Sequence, residues 1–370
     1  VLLVRPVLVT IPELTIAGQE IGIDGMLNWV VLAGFVLVAP VGRRAPWRLP
    51  VIWIAILFLV VMLLSLRLST DPVFGFRQWM RFFSYFVFLS VAYHAAHQAP
   101  FVERFRKTTI GVVLVLLAMG VLQMLLLLQT ISFREYVHLM FEGELEFRLN
   151  GFQDFPHIYG TALLVCVPVI FWSAWHATSA RSRYLYYGLL GLVSIFILYT
   201  GVRSLLIAIA VTIVVSLVGT KRFGTLVAFT ALFAGAGFAS GVFQARLSAF
   251  TDPSRATEWN SLTDRQEIWN VVDLGIIEHP VRGYGLGSVY DYVADSPLRH
   301  SSEKLTAHCD YRKFAFEGGI PGGILFAMLY ASVMIAHWFS RAPAPEIRTL
   351  NRCMAGRIAG IMVMSLVEEV

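Results

Sequence analysis

The sequence predicts an all-α protein, a polytopic bundle of transmembrane helices with one large, mainly helical segment on the outer, periplasmic side. Three observations predict it. Of the 370 residues, 57% are hydrophobic and only 14% charged, too little polar surface to cover a water-soluble core of this size. Apolar runs long enough to cross about 30 Å of hydrocarbon at about 1.5 Å per residue recur along most of the chain, which excludes a protein with only a signal peptide or a single anchor. Polar and turn-forming residues gather between those runs, most heavily in residues 243–318.

Bounded by charge, Pro or Gly, the apolar runs fall near 25–40, 50–66, 82–96, 109–128, 160–175, 185–200, 204–218, 226–242 and 319–339. Partial runs lie at each end. The last begins at Ile358 and stops at Val370 before it could span, and the chain opens on Val1 in place of Met, so the sequence reads as a fragment lacking membrane helices at both ends. The organisation expected is transmembrane helices over 1–242 with the N-terminal one incomplete, a water-facing segment over 243–318, and incomplete C-terminal transmembrane helices over 319–370.

Sidedness follows from the basic residues. If each run crosses once, the loops with Arg43, Arg44 and Arg48, with Arg104, Arg106 and Lys107, with Arg181 and Arg183, with Lys221 and Arg222, and with Arg341, Arg348, Arg352 and Arg357 share one side. They hold 14 basic residues against two acidic ones, Glu103 and Glu346, and that side is the cytoplasm. The same count requires residues 185–218 to be a hairpin turning near Thr200-Gly201, because both ends are basic. Arg203 then starts the returning helix at the outer membrane boundary. Residues 67–81, 129–159 and 243–318 face the opposite side, which in a bacterium is the periplasm.

Within the outer segment, Thr263 or Asp264 can cap a helix through Arg265, Ile268, Trp269, Val272 and Ile276, ended by His279-Pro280. A Gly-rich turn, Gly283 to Ser288, follows, and a second helix is expected from His308 to Glu317. Gly318, Gly319, Pro321 and Gly322 then break the chain before the next span. The cysteines, Cys166, Cys309 and Cys353, are too scattered for a zinc site or a disulfide framework. There is no Asp-x-Asp pair, no phosphate loop of the GxxxxGK[ST] type and no HExxH helix, so no metal and no cofactor is expected.

Three side chains at or above the outer membrane surface carry the chemistry that this leaves: Arg203, Arg265 and His308. Each has a plain alternative. Arg203 could snorkel to lipid headgroups, and Arg265 could be an ordinary ion-paired residue, although a cation in the first turn of a helix opposes the dipole and favours an anion nearby. A histidine in a loop is often only solvated, yet imidazole is the group best suited to take a proton from a sugar hydroxyl near neutral pH. Arg81, Arg148, Arg282 and Arg312, with Arg77, are further candidates for contact with an anionic substrate, since the guanidinium fork matches phosphate oxygens. Adjacent residues on a helix point about 100° apart, which argues against Cys309 and His308 as a nucleophile and its base.

The stretch from Ala307-His308-Cys309-Asp310-Tyr311-Arg312 through Glu317-Gly318-Gly319-Ile320-Pro321-Gly322 resembles the signature of the O-antigen ligase and polymerase superfamily. Thr263-Asp264-Arg265-Gln266-Glu267-Ile268-Trp269, followed by Glu278-His279-Pro280-Val281-Arg282-Gly283-Tyr284-Gly285, is similar to its Arg-x-x-x-Trp helix and His-Pro-x-x-Gly-x-Gly turn. Tyr199 to Ser204 resembles the arginine at the outer end of its helix hairpin, and Asn150-Gly151 to Pro156-His157 echoes a further segment. The likeness covers roughly residues 145–335. Position 309 departs from it, being Cys where the family usually has Asn, Ser or Gln.

The resemblance implies a metal-independent, inverting glycosyltransferase of the bacterial inner membrane, with its active site facing the periplasm. It would take a glycan from undecaprenyl pyrophosphate, with Arg203 and Arg265 on the leaving pyrophosphate and His308 on the acceptor hydroxyl. The spacing of Gly319 and Gly322 favours the O-antigen ligase of lipopolysaccharide biosynthesis, with lipid A core as acceptor. The alternative is an O-antigen or exopolysaccharide polymerase, with a glycolipid acceptor. A lipid-linked sugar transporter or flippase is a third reading, disfavoured because the expected spans are nearly free of buried charge and show no internal repeat. Membrane lipids are the surrounding partner, and no nucleic-acid partner is expected.

Overall fold

The computed structural model describes residues 14–16, 19–21, 50–96, 101–129, 148–151, 156–218, 261–296, 307, 309–342 and 344–366. The helices among them are α1 (Pro50–Ser65), α2 (Pro72–Ala96), α3 (Phe101–Leu127), α4 (Pro156–Trp175), α5 (Ala180–Tyr199), α6 (Arg203–Leu217), α7 (Ser261–Glu278), α8 (Val289–Ala294), α9 (Asp310–Glu317), α10 (Gly319–Trp338) and α11 (Pro345–Met364). Five stretches are long and apolar enough to cross a membrane: Pro50–Leu68, Phe101–Leu127, Pro156–Trp175, Ala180–Tyr199 and Gly319–Trp338, with the shorter apolar Ser204–Leu217 beside them. The chain is therefore an all-α, multi-pass membrane protein, as its composition demands. Its one β feature among the described residues is a short antiparallel hairpin, Leu14–Ile16 paired with Gln19–Ile21, where the sequence suggests only a partial span. The runs 25–40 and 226–242 lie outside the described residues.

Several boundaries differ from the sequence expectation, each for a local reason. Arg104, Arg106 and Lys107 lie in the opening turns of α3, Arg181 and Arg183 in those of α5, and Arg348, Arg352 and Arg357 within α11, rather than in loops. Lys and Arg are good helix formers whose stems lie along apolar surface, so a basic flank extends a helix as readily as it ends one. α7 begins at Ser261, which puts Thr263 and Asp264 inside its first turns instead of at its cap. α9 begins at Asp310 with Cys309 in the N-cap position; the expected start, His308, lies outside the described residues. The break before α10 is confined to Gly318 and Gly319, because Pro321 sits in the first turn of α10, where its missing N–H costs nothing.

α3 from Val102, α4, α5, α6 and α11 to Val363 form one compact unit. Its centre is α4: 72% of its apolar window is buried, against 28% for α3 and 44% for α5. A helix apolar on every side belongs inside its bundle. Tyr159, Leu163, Leu164, Cys166, Val167 and Ile170 are fully buried there. α11 docks on α6 through glycines one turn apart. A Cβ on Gly356 would run into the Thr212 carbonyl and the Ser216 hydroxyl, and one on Gly360 would sit 2.5 Å from the Ala208 carbonyl oxygen, the close backbone approach typical of small-residue helix pairs. Gly360→Leu is expected to destabilise the protein by about 1–3 kcal/mol through overpacking, read as a lower Tm in detergent. Gly111→Leu, at an open position on α3, should leave the Tm unchanged.

The second unit holds α1, α2, α7, α8, α9 and α10 to Val333. Here α9 joins two cores. Phe314 enters an aromatic cluster of the membrane helices, with ring centroids 5.2 Å from Phe58, 5.4 Å from Phe82 and 4.5 Å from Phe326. Phe316, two residues on, enters the core built by Ile268, Val271, Val272, Val289 and Val293 and stacks on Tyr284 at 4.7 Å. The Gly-rich turn straps this junction. Gly283, Gly285 and Gly287 all have positive φ, at 65°, 97° and 89°, a region that costs L-residues energy. Their neighbours show why the chain must pass so close: Tyr284 N donates to Phe316 O and Gly285 N to Glu317 O, both at 2.9 Å, and Ile320 N donates to Pro280 O at 2.7 Å. Glu317, fully buried, accepts from Gly287 N at 3.0 Å. On the other side, Ser69 and Thr70 bond to Leu286 O and to the Ser288 hydroxyl.

Candidate functional site

α7 carries Arg265, partly exposed, with Trp269 one turn on and Asp273 one turn further, all on one face at a spacing of four. Trp269 is the post of this arrangement. Its indole N–H donates to the carbonyl of Ala307 at 2.9 Å, and the Arg312 guanidinium lies over its ring, 4.6 Å from the centroid. Arg312 Nε also bonds Asp273 Oδ1 at 2.9 Å. Partial burial alone would lower the Arg312 value, but the hydrogen bond and charge of Asp273, together with those of Cys309, outweigh it and the net direction is upward. With the two side chains 35% and 44% exposed, such a pair contributes only about 0–1 kcal/mol. Its use is to fix α9 against α7.

The chain on both sides of position 308 is held firmly. Ala307 is fully buried and Cys309 is 2% exposed. The Cys309 carbonyl accepts from Lys313 N at 2.9 Å, and Asp310 N donates to Ser365 O at 3.0 Å. His308 itself lies outside the described residues. Cys309 makes no side-chain cap bond to α9. Cys309→Ser, nearly the same size, should supply the missing acceptor and raise stability by about 1 kcal/mol, measured as a higher Tm; an unchanged or lower Tm would count against this.

Arg282 and Arg81 lie in the same unit. Arg282 is exposed in the turn after α7, with Nη2 3.2 Å from Nδ1 and 3.3 Å from Nε2 of His279. Arg81 is exposed on α2, and its carbonyl accepts from the Ser84 hydroxyl. Behind the turn, Tyr284 donates a hydrogen bond to the Glu278 carboxylate, and Tyr292 reaches the same oxygen at 3.4 Å. Burial, and then the bond to Glu278, pushes the Tyr284 phenol above its ordinary value, which keeps it a protonated donor.

Arg203 and Arg148 belong to the other unit, where the expected hairpin is present. α5 ends at Tyr199, Gly201 turns the chain at φ 66°, and Arg203 opens α6. The Thr200 hydroxyl donates to Ile197 O at 2.7 Å and accepts from Val202 N at 3.3 Å. Arg148 lies against this turn: a Cβ on Gly201 would be 3.3 Å from its Nε. What brings Arg148 there is Gln123, a residue the motif reading passed over. Its amide oxygen accepts from Asn150 N at 3.0 Å and Gly151 N at 2.8 Å, and its amide nitrogen donates to Arg148 O at 3.3 Å. Leu149 N then donates to Tyr199 O at 3.1 Å. The signal was in the sequence, since Gln123 is an amide inside the apolar run 109–128 and a polar group at such depth needs a purpose.

Among the described residues, no three His, Cys, Asp or Glu side chains gather as metal ligands. Residues 188–327 match the family model described as O-antigen ligase. That span includes Arg203, Arg265, Arg282, His308 and Arg312 and leaves out Arg81 and Arg148. None of the curated proteins and none of the solved structures compared with the chain matches it.

Proposed function

We propose, on the premise that the chain belongs to the O-antigen ligase and polymerase superfamily, whose O-antigen ligase model matches residues 188–327, that it is a membrane glycosyltransferase moving a glycan from undecaprenyl pyrophosphate to lipid A core at the periplasmic face of the inner membrane. The acceptor oxygen attacks the anomeric carbon as the bond to the pyrophosphate oxygen breaks. The electron pair leaves with the pyrophosphate, the hydroxyl proton passes to His308, and the anomeric configuration inverts. Pyrophosphate is already a good leaving group, so guanidinium forks, the role that the family likeness gives Arg203 and Arg265, can stabilise its developing charge without a metal. Arg148, held against the turn before Arg203, is assigned to the donor, and Arg282 and Arg81 to the glycan and lipid phosphates, while Arg312 is engaged by Asp273 and Trp269.

The observation that carries the reading is the bond from Trp269 to Ala307 O. It ties the helix of Arg265 to Ala307, the chain neighbour of His308. The test is transfer by purified protein from undecaprenyl-pyrophosphoryl glycan, offered lipid A core in one arm and a second lipid-linked unit in the other, with and without chelator. Transfer to the core that survives chelation supports a metal-independent ligase. Elongation of the lipid-linked unit alone would make the protein a polymerase, and movement of glycolipid across liposomes without transfer would make it a flippase.

A further inference from the structure

The last turns of α7 and the turn after it are apolar on two sides. The inner side packs on protein: Val271 and Val272 are buried, and Gly275 lets the Phe316 ring close against the helix. On the outer side, Leu274, Ile277 and Val281 are 46%, 73% and 75% exposed. Leu274 and Ile277, three apart, share a face, and Val281 extends it. Glu278, exposed beside Ile277, accepts from the Tyr284 hydroxyl and lies 3.4 Å from that of Tyr292. Three large apolar side chains thus stand exposed along one edge, on a segment too polar to be a membrane span itself.

What covers them follows from their neighbour. Pro280 O accepts from Ile320 N at 2.7 Å, and a Cβ on Gly319 would collide with Val281 O, so this edge rests on the first turn of α10. α10 exposes Ile320, Ile324 and Met328 at 45%, 53% and 46%, a stripe of spacing four along a helix apolar enough to span, and such a stripe faces acyl chains. The Leu274–Val281 edge continues that stripe beyond the helix end. At its rim stands Arg282, a cation suited to lipid phosphates, beside His279.

We propose that Leu274, Ile277 and Val281 form a membrane-dipping edge that seats the end of α7 in the boundary between headgroups and acyl chains of the bilayer. The edge anchors the helix that carries Arg265. The proposal rests on membrane insertion of α10 and not on the transfer reaction, so it stands or falls separately. Cys166, Cys309 and Cys353 are buried, which leaves introduced cysteines as the accessible thiols. Ile277→Cys, Val281→Cys and, as a water-facing control on the same helix, Gln266→Cys are labelled with an environment-sensitive fluorophore and reconstituted in phosphatidylethanolamine–phosphatidylglycerol vesicles. Lipid carrying a doxyl group high on its acyl chain should quench the probes at 277 and 281 at least about twofold more than the probe at 266, with aqueous iodide showing the reverse order. Equal iodide quenching at all three positions would overturn the proposal. So would protection from both quenchers together with crosslinking between copies, which would assign the edge to a second copy of the chain.

Discussion

Replacing Arg265 or Arg203 by lysine is expected to lower kcat for glycan transfer by about 10²–10³-fold while leaving the protein folded. Lysine keeps the charge, so a site that needed only a cation would tolerate it. A pyrophosphate leaving group spreads its developing charge over several oxygens, and a fixed fork of donors follows that spread where a mobile ammonium does not. Arg265 is partly exposed on the surface of α7 and Arg203 opens α6 directly after the Gly201 turn, and both substitutions keep a long cationic side chain. Arg181→Lys, at an exposed position in the first turn of α5, is the control and should retain full activity. Wild-type kcat in both Arg265→Lys and Arg203→Lys would remove them from the reaction.

The second large effect is expected at Trp269. Trp269→Phe keeps a ring beneath the Arg312 guanidinium and removes only the indole N–H, leaving the carbonyl of the fully buried Ala307 without its donor. A lost buried partner costs about 1–3 kcal/mol, measurable as a lower Tm. The consequence for transfer should be larger than for folding, because a catalytic group displaced by about 1 Å loses about 10²-fold. Trp269→Phe should therefore fold and bind donor, yet transfer far more slowly than wild type. Unchanged kcat would mean that the tie between α7 and residue 307 does not position the site.

The parts of this structure that could be read from sequence are those with local causes. The α5–α6 hairpin was legible because two basic flanks force an even number of crossings, and Gly201 supplies the left-handed turn. The turn from Gly283 to Ser288 was legible from its glycines, though not what it grips, since Phe316, Glu317 and Ile320 come some thirty residues later. α11 was missed as a helix over its first half. A search for apolar runs sees Arg348, Arg352 and Arg357 as a loop, whereas a helix tolerates them wherever their charged ends find water or a partner. Gln123 was missed because its partners, Arg148, Asn150 and Gly151, lie on a separate segment that only folding brings near. The same non-local logic explains Arg312: its residue type suggested an anion site, and the structure pairs it with Asp273 and Trp269 on another helix.

The central claim is that His308 takes the acceptor proton while arginines hold the pyrophosphate. The most direct measurement is single-turnover transfer by His308→Ala and His308→Gln in proteoliposomes loaded with undecaprenyl-pyrophosphoryl glycan, with donor binding measured on the same samples. Loss of general base catalysis should slow transfer by about 10²–10⁴-fold in both variants, with donor affinity unchanged because the arginines remain. Transfer at the wild-type rate in either variant, or loss of donor binding in place of loss of rate, would contradict the account.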